Sequence, residues 1–300
     1  MQPTVGMIGL GIMGSAMAAN LLKAGFRVAG YDVIPAARKA LAAQGGIAAG
    51  SAAGVAKRSE IAITSLPSVA ALEAVAAELA AAPRKDLVVV ETSTLPLETK
   101  ERARKALARA GVTLLDCPLS GTGAQARNKD LAVYASGPRE ACRRAVPVFE
   151  GFARAHYYLG GFGAGSKMKY VANLLVAIHN VAAAEAMTLA MKAGLDPALA
   201  LRVIGDGAGA SRMFQVRGPM MVANDYSEAT MKVAVWQKDM HIIGEFATAL
   251  DCPTPLFAAS APIYNAAMAA GHALEDTASV CAVLEGLAGV TRARRRRKRR

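Results

Sequence analysis

Short apolar runs alternate with alanine-rich segments of helical periodicity over the first half of the chain. The segments 68–82 and 97–110 are examples of the helical kind. Strands that alternate with helices predict an α/β fold with a parallel, doubly wound sheet. The runs that predict strands are TVGMIGL (4–10), FRVAGYD (26–32), IAITSL (61–66), LVVVETS (87–93), VTLLDCP (112–118), LAVYASG (131–137) and ARAHYYLG (153–160).

The strand pattern stops after Gly165, and only helical patterns follow. Gly194 and Pro197 have the positions of a C-cap glycine and a first-turn proline, so they separate the first two helices. The change near residue 163 predicts a nucleotide-binding domain over 1–162 and an all-helical domain over 163–290. The predicted helices of the second domain are 166–193, 197–205, 212–223, 229–249, 256–270 and 277–287.

Two lysines stand where the first of these helices begins, in the stretch GAGSKMKYVANLL (163–175). Lysine is seldom fully buried without a partner, so Lys167 and Lys169 need an explanation at the head of an apolar helix. Either both are solvated residues on a polar face, or one of them has a chemical role.

The first predicted strand runs into Gly9-x-Gly11-x-x-Gly14, and an amphipathic helix follows as far as Gly25. In this context the motif predicts a dinucleotide site. The first glycine permits the tight turn, the second lets the backbone approach the pyrophosphate, and the third allows close helix packing. The phosphates then face the helix N-terminus. The residues expected to contact the cofactor are Gly9, Leu10, Gly11, Ile12, Met13 and Gly14.

The second predicted strand ends at Asp32, eighteen residues after Gly14. A carboxylate at this position accepts hydrogen bonds from the adenine ribose and repels a 2′-phosphate. Asp32 therefore favours NAD over NADP, although Arg38 and Lys39 nearby can weaken that preference.

Three further strand ends carry distinctive residues: SLP (65–67), TSTLP (92–96) and DCPLSGTGA (116–124). Ligands of open α/β sheets gather at the carboxyl ends of the strands. Backbone amides at Ser120, Gly121 and Thr122 could form a nest for a substrate carboxylate. All three segments are also compatible with ordinary turns.

The net charge of +12 raises the question of a nucleic-acid partner. Eight of the basic residues lie in the tail TRARRRRKRR (291–300), so residues 1–290 carry only +4. A block of like charge predicts a disordered tail. We expect no nucleic-acid function beyond non-specific contacts of this tail, and a non-catalytic polyanion-binding module is the alternative.

The remaining composition predicts a cytoplasmic protein without a metal site or a membrane span. Four cysteines and four histidines show no metal-ligand spacing, and no uncharged apolar run reaches about 18 residues. The N-terminus lacks the basic region of a signal peptide.

Taken in order, the motifs GLGIMG, TST, DCPLSGTGA, GAGSKMKYVAN and WQKDM (236–240) resemble the β-hydroxyacid dehydrogenase family over residues 4–290. The resemblance implies a Rossmann-type domain followed by an all-helical domain, with the active site in the cleft between them. It also implies NAD-dependent hydride transfer that oxidises a small 3-hydroxy acid, or the reverse reduction.

The family motif GxGxxxKxxNN matches Lys169 as the catalytic lysine, while Lys167 stays an ordinary solvated residue. Its second asparagine matches Asn173, and Ala172 departs from its first. By the same resemblance Ser120, Gly121 and Thr122 bind the substrate carboxylate, although the family more often has Ser-Gly-Gly. Leu66, Pro67, Thr94 and Lys238 match positions beside the cofactor.

Lys169 and Asn173 lie four residues apart and so share a helix face. A lysine with a lowered pKa can take the hydroxyl proton as the hydride leaves. An imine reductase-like enzyme is the nearest rival, and such relatives replace this lysine. Arg212 and Arg217 are possible substrate-carboxylate partners. The long apolar helices predict a homodimer or homotetramer.

Overall fold

A computed structural model describes residues 3–292, and the contacts among its residues divide the chain after Tyr170 into two units. The prediction divides the chain at 162/163 instead. The division lies later in the chain because the first turns of the helix that begins at Ala164 belong to the first unit. Ser166 donates to Asp116, and Tyr170 donates through its hydroxyl to the carbonyl oxygen of Leu95.

Six strands of the first unit form one parallel sheet in the order β3-β2-β1-β4-β5-β6. Ile8 pairs with Tyr31 and Thr64, and Glu91 pairs with Thr64 and Asp116, so the carboxyl ends of five strands are level. These ends form one edge of the sheet, which we call the carboxyl edge. The strands are β1 (Thr4–Ile8), β2 (Arg27–Tyr31), β3 (Ile47–Ala48), β4 (Ile61–Thr64), β5 (Val88–Glu91) and β6 (Thr113–Asp116).

Helices cover both faces of this sheet, which confirms the predicted doubly wound α/β arrangement. One apolar core joins Met7 and Val90 to Met17 and Phe149, and a second joins Ile8 and other sheet residues to the helices of the opposite face. The helices are α1 (Ile12–Lys23), α2 (Pro35–Ala43), α3 (Ala52–Ala56), α4 (Val69–Ala81), α5 (Leu97–Arg109), α6 (Gly123–Arg127) and α7 (Arg139–Phe152).

The last two predicted strands of this unit do not extend the parallel sheet. They form a separate small sheet of β7 (Leu119–Ser120), β8 (Ala132–Ala135) and β9 (Ala155–Tyr158), in which β7 and β8 are antiparallel. Asp116 and Ser136 make a single antiparallel bridge, so the chain here runs against β6. The change of direction follows Pro118. Hydrophobic periodicity alone does not show that the parallel sheet ends before this residue.

The second unit is helical, as predicted, and its helices are α8 (Ala164–Lys192), α9 (Pro197–Gly205), α10 (Arg212–Ala223), α11 (Val233–Thr248), α12 (Pro255–Ala269) and α13 (Val280–Leu287). A 3₁₀ turn, Thr277–Ser279, precedes the last of them. The helix predicted from 229 begins only at Val233. The backbone before it is held as a loop, because Thr230 and Met231 donate to the Asp276 carboxylate.

Helix α8 is long and apolar enough to meet a length-and-hydropathy test for membrane spans, with 44% of its most apolar window buried inside the protein. Ala177, Ala184 and Met187 are fully buried on it. The same test is passed by core helices of soluble proteins, so it is weak evidence for a membrane span.

The predicted basic tail lies largely outside the described residues. Within its described beginning, the Arg292 guanidinium donates to the Glu285 carboxylate and to the carbonyl oxygen of Val222. The first arginine of the predicted tail is therefore bound rather than free in solvent.

Candidate active site

The loop between β1 and α1 has the geometry that the glycine motif predicts. Gly9 has a φ of 91°, and a Cβ atom there would lie 2.2 Å from the Ser65 carbonyl oxygen. At Gly14 a Cβ atom would lie 1.9 Å from the Gly9 carbonyl oxygen, whereas at Gly11 it would meet nothing within 4 Å. Gly11 is the N-cap of α1, and no side chain caps it. The backbone is thus closely packed at Gly9 and Gly14 and unobstructed at Gly11, which fits a bound pyrophosphate.

Asp32 follows β2 at the carboxyl edge and is fixed from two sides. Its Oδ2 accepts from the Leu10 backbone N–H at 2.7 Å, and its Oδ1 accepts from the Ile34 N–H at 2.8 Å. The carboxylate therefore faces the glycine loop. Arg38 donates to the Asp32 carbonyl oxygen and lies over the Tyr31 ring, 5.7 Å from its centroid.

The loops after β4 and β5 are bound to each other. Leu66 donates its backbone N–H to Ser93 Oγ at 2.8 Å, and a Leu66 methyl lies 3.4 Å from where a Gly9 Cβ would be. Thr94 is half-buried in the second loop, and Pro67 is exposed at the end of the first. Two of the sequence motifs therefore lie beside the dinucleotide loop.

The loop Ser120–Thr122 lies on the same side of the unit. Gly121 has a φ of 131°, and a Cβ atom there would lie 2.6 Å from a methyl group of Leu131. Thr122 has a φ of −98° and forms a capping box with Gln125, so the backbone requires no glycine at this departure from the family pattern. Gly123 approaches Ile12 so closely that a Cβ atom would lie 2.5 Å from its Cγ2. Packing therefore joins this loop to the start of α1.

A buried charged cluster, missed by the sequence analysis, lies under the carboxyl edge. Lys100 Nζ is 2.8 Å from Asp116 Oδ1 and 3.8 Å from Glu91 Oε1, and all three side chains are fully buried. Burial alone would lower the pKa of Lys100, but the carboxylates of Asp116 and Glu91 outweigh it and raise that pKa above its usual value. The helical periodicity of the sequence could have indicated that Lys100 is buried, because Lys100 is in phase with the buried Ala103 and Leu107 of α5.

This cluster holds the start of α8. Asp116 Oδ2 accepts from the Ser166 backbone N–H, and Asp116 Oδ1 accepts from Ser166 Oγ, both at 2.7 Å. Gly165 donates its N–H to Ser136 Oγ at 2.9 Å, and a Cβ on Gly165 would lie 2.4 Å from the Tyr134 carbonyl oxygen. Lys169 follows one turn after Gly165 and is half-buried, whereas Lys167 is exposed.

In the second unit, α8 and α11 bring three polar side chains together. Asn173 Nδ2 donates to Asp239 Oδ2 at 2.9 Å, and Lys238 Nζ lies 3.3 Å from Asp239 Oδ1. Asn173 and Asp239 are buried, and the Lys238 side chain is 36% exposed. Asp239 thus bridges two residues that the motifs identify, a role that the sequence analysis did not give it.

Arg217, one of the two possible substrate-carboxylate partners, is buried in the second unit. Its side chain is 4% exposed, and its Nε lies 3.4 Å from Asp276 Oδ1, a buried counter-ion. Arg212 begins α10 and is exposed. Among residues 3–292 no group of three or more His, Cys, Asp and Glu side chains could hold a metal ion.

Comparison with known proteins identifies the family of this chain. Residues 4–160 match the model of the NAD-binding domain of 6-phosphogluconate dehydrogenase, and residues 163–284 match the model described as NAD-binding of NADP-dependent 3-hydroxyisobutyrate dehydrogenase. The chain is 35% identical to L-threonate dehydrogenase of Cupriavidus necator over 291 residues, 96% of this chain and 98% of that protein. The chain belongs to the β-hydroxyacid dehydrogenase family.

Other relatives agree. The chain is also 33% identical to 3-hydroxyisobutyrate dehydrogenase of Pseudomonas aeruginosa, over 87% of this chain and 91% of that protein. The crystal structure of 3-hydroxyisobutyrate dehydrogenase from Salmonella typhimurium has a TM-score of 0.85 at 32% identity, covering 94% of this chain and all of that one. An imine reductase from a Pseudomonas species shares only the fold, at 21% identity and a TM-score of 0.61.

Membership confirms the predicted fold class and the predicted enzyme class. The protein is an NAD(P)-dependent oxidoreductase that acts on the CH–OH group of small hydroxy acids. The roles given to Lys169, Asn173, Ser120 and the cofactor-contacting residues remain predictions.

Proposed function

We propose that the protein oxidises a small 3-hydroxy acid, or reduces the matching carbonyl acid, with Lys169 moving the proton and NAD as the preferred cofactor. One observation carries this proposal. Helix α8 starts at the carboxyl edge of the parallel sheet, where Ser166 is bound to Asp116 at the end of β6. The glycine loop and Asp32 lie at the carboxyl ends of β1 and β2, and ligands of such sheets bind at this edge.

Lys169 supplies the proton chemistry in this proposal. When NAD is bound it accepts the hydride, and the alcohol must lose a proton as its carbon becomes a carbonyl. A neutral Lys169 takes that proton at Nζ; in the reverse direction the ammonium form donates it. Lys169 is half-buried, one turn into the helix that starts at the carboxyl edge.

Asn173 would orient the reacting hydroxyl, since it follows Lys169 by four residues on one continuous helix. Its amide nitrogen is held by Asp239, which fixes the side-chain rotamer. A fixed partner lowers the entropy cost of aligning the substrate for hydride transfer. Lys238, paired with the same carboxylate, adds positive charge near that amide.

Asp32 supports NAD as the cofactor. Both of its oxygens already accept from backbone N–H groups, so the carboxylate is held in place, with lone pairs left for ribose hydroxyls. A 2′-phosphate would bring negative charge to the same position. Arg38 is bound to the Asp32 carbonyl oxygen, which limits its ability to offset that repulsion.

The Ser120–Thr122 loop would bind the substrate carboxylate, since a backbone with Gly121 in the left-handed region can aim successive N–H groups at an anion.

We further propose a cytoplasmic homodimer or homotetramer with no membrane partner. The exposed Val171, Leu175 and Leu189 side chains of α8 support assembly through this helix.

The test is a screen of small hydroxy acids, L-threonate and 3-hydroxyisobutyrate among them, for the absorbance of the reduced cofactor with NAD and separately with NADP. We expect at least one acid to be oxidised, with kcat/KM at least about tenfold higher with NAD. Absence of turnover with every acid would refute the substrate class, and a preference for NADP would refute the role given to Asp32.

A further inference from the structure

A continuous chain of buried polar contacts links the loop beside the dinucleotide site to the start of α8. At the first end, Leu66 donates to Ser93 Oγ at 2.8 Å, and Ser93 donates its N–H to Glu91 Oε1 at 2.7 Å. At the other end, Asp116 accepts twice from Ser166 at 2.7 Å. Lys100 lies between the two carboxylates and is the residue that joins the ends.

Lys100 is needed in this series of buried contacts because it lies between two carboxylates. Glu91 and Asp116 are both fully buried, and an unpaired carboxylate in such surroundings is strongly destabilised or becomes protonated. A protonated Asp116 would lose acceptor capacity just where the first turn of α8 donates two hydrogen bonds to it. Lys100 pairs with both carboxylates, so removing its ammonium group leaves both buried carboxylates without this counter-ion.

A second contact makes the same connection without charge. The Tyr170 hydroxyl, next to Lys169 in sequence, donates to the Leu95 carbonyl oxygen at 2.6 Å. Leu95 belongs to the loop that carries Ser93 and Thr94. The turn of α8 that carries Lys169 is thus bound at two points of the carboxyl edge: Ser166 to Asp116, which Lys100 pairs with, and Tyr170 to the Leu95 carbonyl oxygen.

We propose that Lys100 is a positioning residue for hydride transfer: it fixes the turn of α8 that carries Lys169 relative to the cofactor-side loop at 92–96. Lys100 lies beneath the site and acts through Asp116 and Glu91. The proposal rests on the proposed function, because it takes Lys169 as the group that moves the proton. It adds a requirement for one buried cation whose own proton is not transferred.

The test compares three variants with the wild type. Lys100→Met removes the charge and keeps the length, Lys100→Arg keeps the charge, and Lys105→Met is the matched control on an exposed position of the same helix. For each folded variant we would measure kcat, the NADH dissociation constant by fluorescence, and amide hydrogen exchange of residues 163–170.

For Lys100→Met we expect kcat to fall tenfold or more, since a misplacement of roughly 1 Å can cost about 100-fold. NADH affinity should change less than about threefold, because the glycine loop and Asp32 are not part of the chain of contacts and Leu66 takes part only through its backbone N–H. Exchange at 163–170 should become faster. Lys100→Arg should recover most of the activity, and Lys105→Met should behave as the wild type.

Ser166→Ala keeps the proposal testable if Lys100→Met does not fold, because it removes only one hydrogen bond to Asp116. We expect kcat to fall about fivefold, the equivalent of one such bond, with faster exchange at 163–170. Unchanged kcat and unchanged exchange in folded variants would overturn the inference. A wild type that oxidises no hydroxy acid would instead refute the proposed function, and exchange in the variants would still decide whether Lys100 holds α8.

Discussion

Replacing Gly165 by alanine would put a methyl group where α8 begins against the backbone of the first unit. The added Cβ would lie 2.4 Å from the Tyr134 carbonyl oxygen and 2.6 Å from that of Asp116, distances that real Cβ atoms essentially never show. Reaching 3.0 Å from the first oxygen requires a shift of at least 0.6 Å. Neither contact is the end of a flexible side chain, so the start of the helix itself must move.

The shift has two expected costs. Overpacking of this kind typically destabilises a protein by about 1–3 kcal/mol. In a chain of this size that corresponds to a fall in Tm of roughly 2–10 °C. Lys169 lies one turn further along α8, and we expect kcat to fall about tenfold or more because its Nζ moves with the helix. NADH affinity should stay within about threefold, since the glycine loop is unchanged.

Gly161→Ala is the matched control, because Gly161 is four residues earlier, lacks a positive φ, and a Cβ there would meet nothing within 4 Å. Thermal unfolding, NADH fluorescence titration and steady-state kinetics on the best acid from the screen provide the three measurements. If Gly165→Ala matched Gly161→Ala in both Tm and kcat, the close approach would not be what positions α8.

Two further predictions concern the first unit and the thiols. Gly14→Ala should weaken NADH binding at least about tenfold, because its Cβ would lie 1.9 Å from the Gly9 carbonyl oxygen and displace the phosphate loop; Gly50→Ala, where a Cβ meets nothing within 4 Å, is the control, and equal affinities in the two would contradict the loop geometry. A thiol reagent at pH 8 should label Cys252 in the native protein and the other three cysteines only after unfolding, since Cys252 is exposed and burial raises the pKa of Cys142 to about 11 and of Cys281 to about 12. Rapid native labelling of a second cysteine would contradict the burial.

Much of the fold follows from local pattern. The alternation of apolar runs with helical segments predicts the parallel sheet, and the glycines after β1 predict the tight turn whose geometry is observed at Gly9 and Gly14. The prediction that Lys169 is catalytic rests on Gly163 and Gly165, which set the register of a family motif. These features depend on residues close together in sequence.

The parts that sequence did not predict depend on contacts between distant residues. Two predicted strands lie in a separate three-stranded sheet, and the chain after one of them makes a single antiparallel bridge from Ser136 to Asp116. The cluster of Lys100 with Glu91 and Asp116 joins two strand ends to a helix, and Asp239 reaches across 66 residues to Asn173. Each charged residue interrupts an apolar pattern, but the pattern cannot say which partner compensates it.

The variant Lys169→Ala tests whether Lys169 moves the substrate proton. The decisive measurement is the kcat of this variant beside its NADH dissociation constant, on an acid that the wild type oxidises. We expect a loss of kcat of about 100- to 10,000-fold, the usual contribution of a general acid–base group, with NADH affinity nearly unchanged. Retention of more than about a tenth of the wild-type kcat, a barrier increase of only ~1.4 kcal/mol, would contradict it.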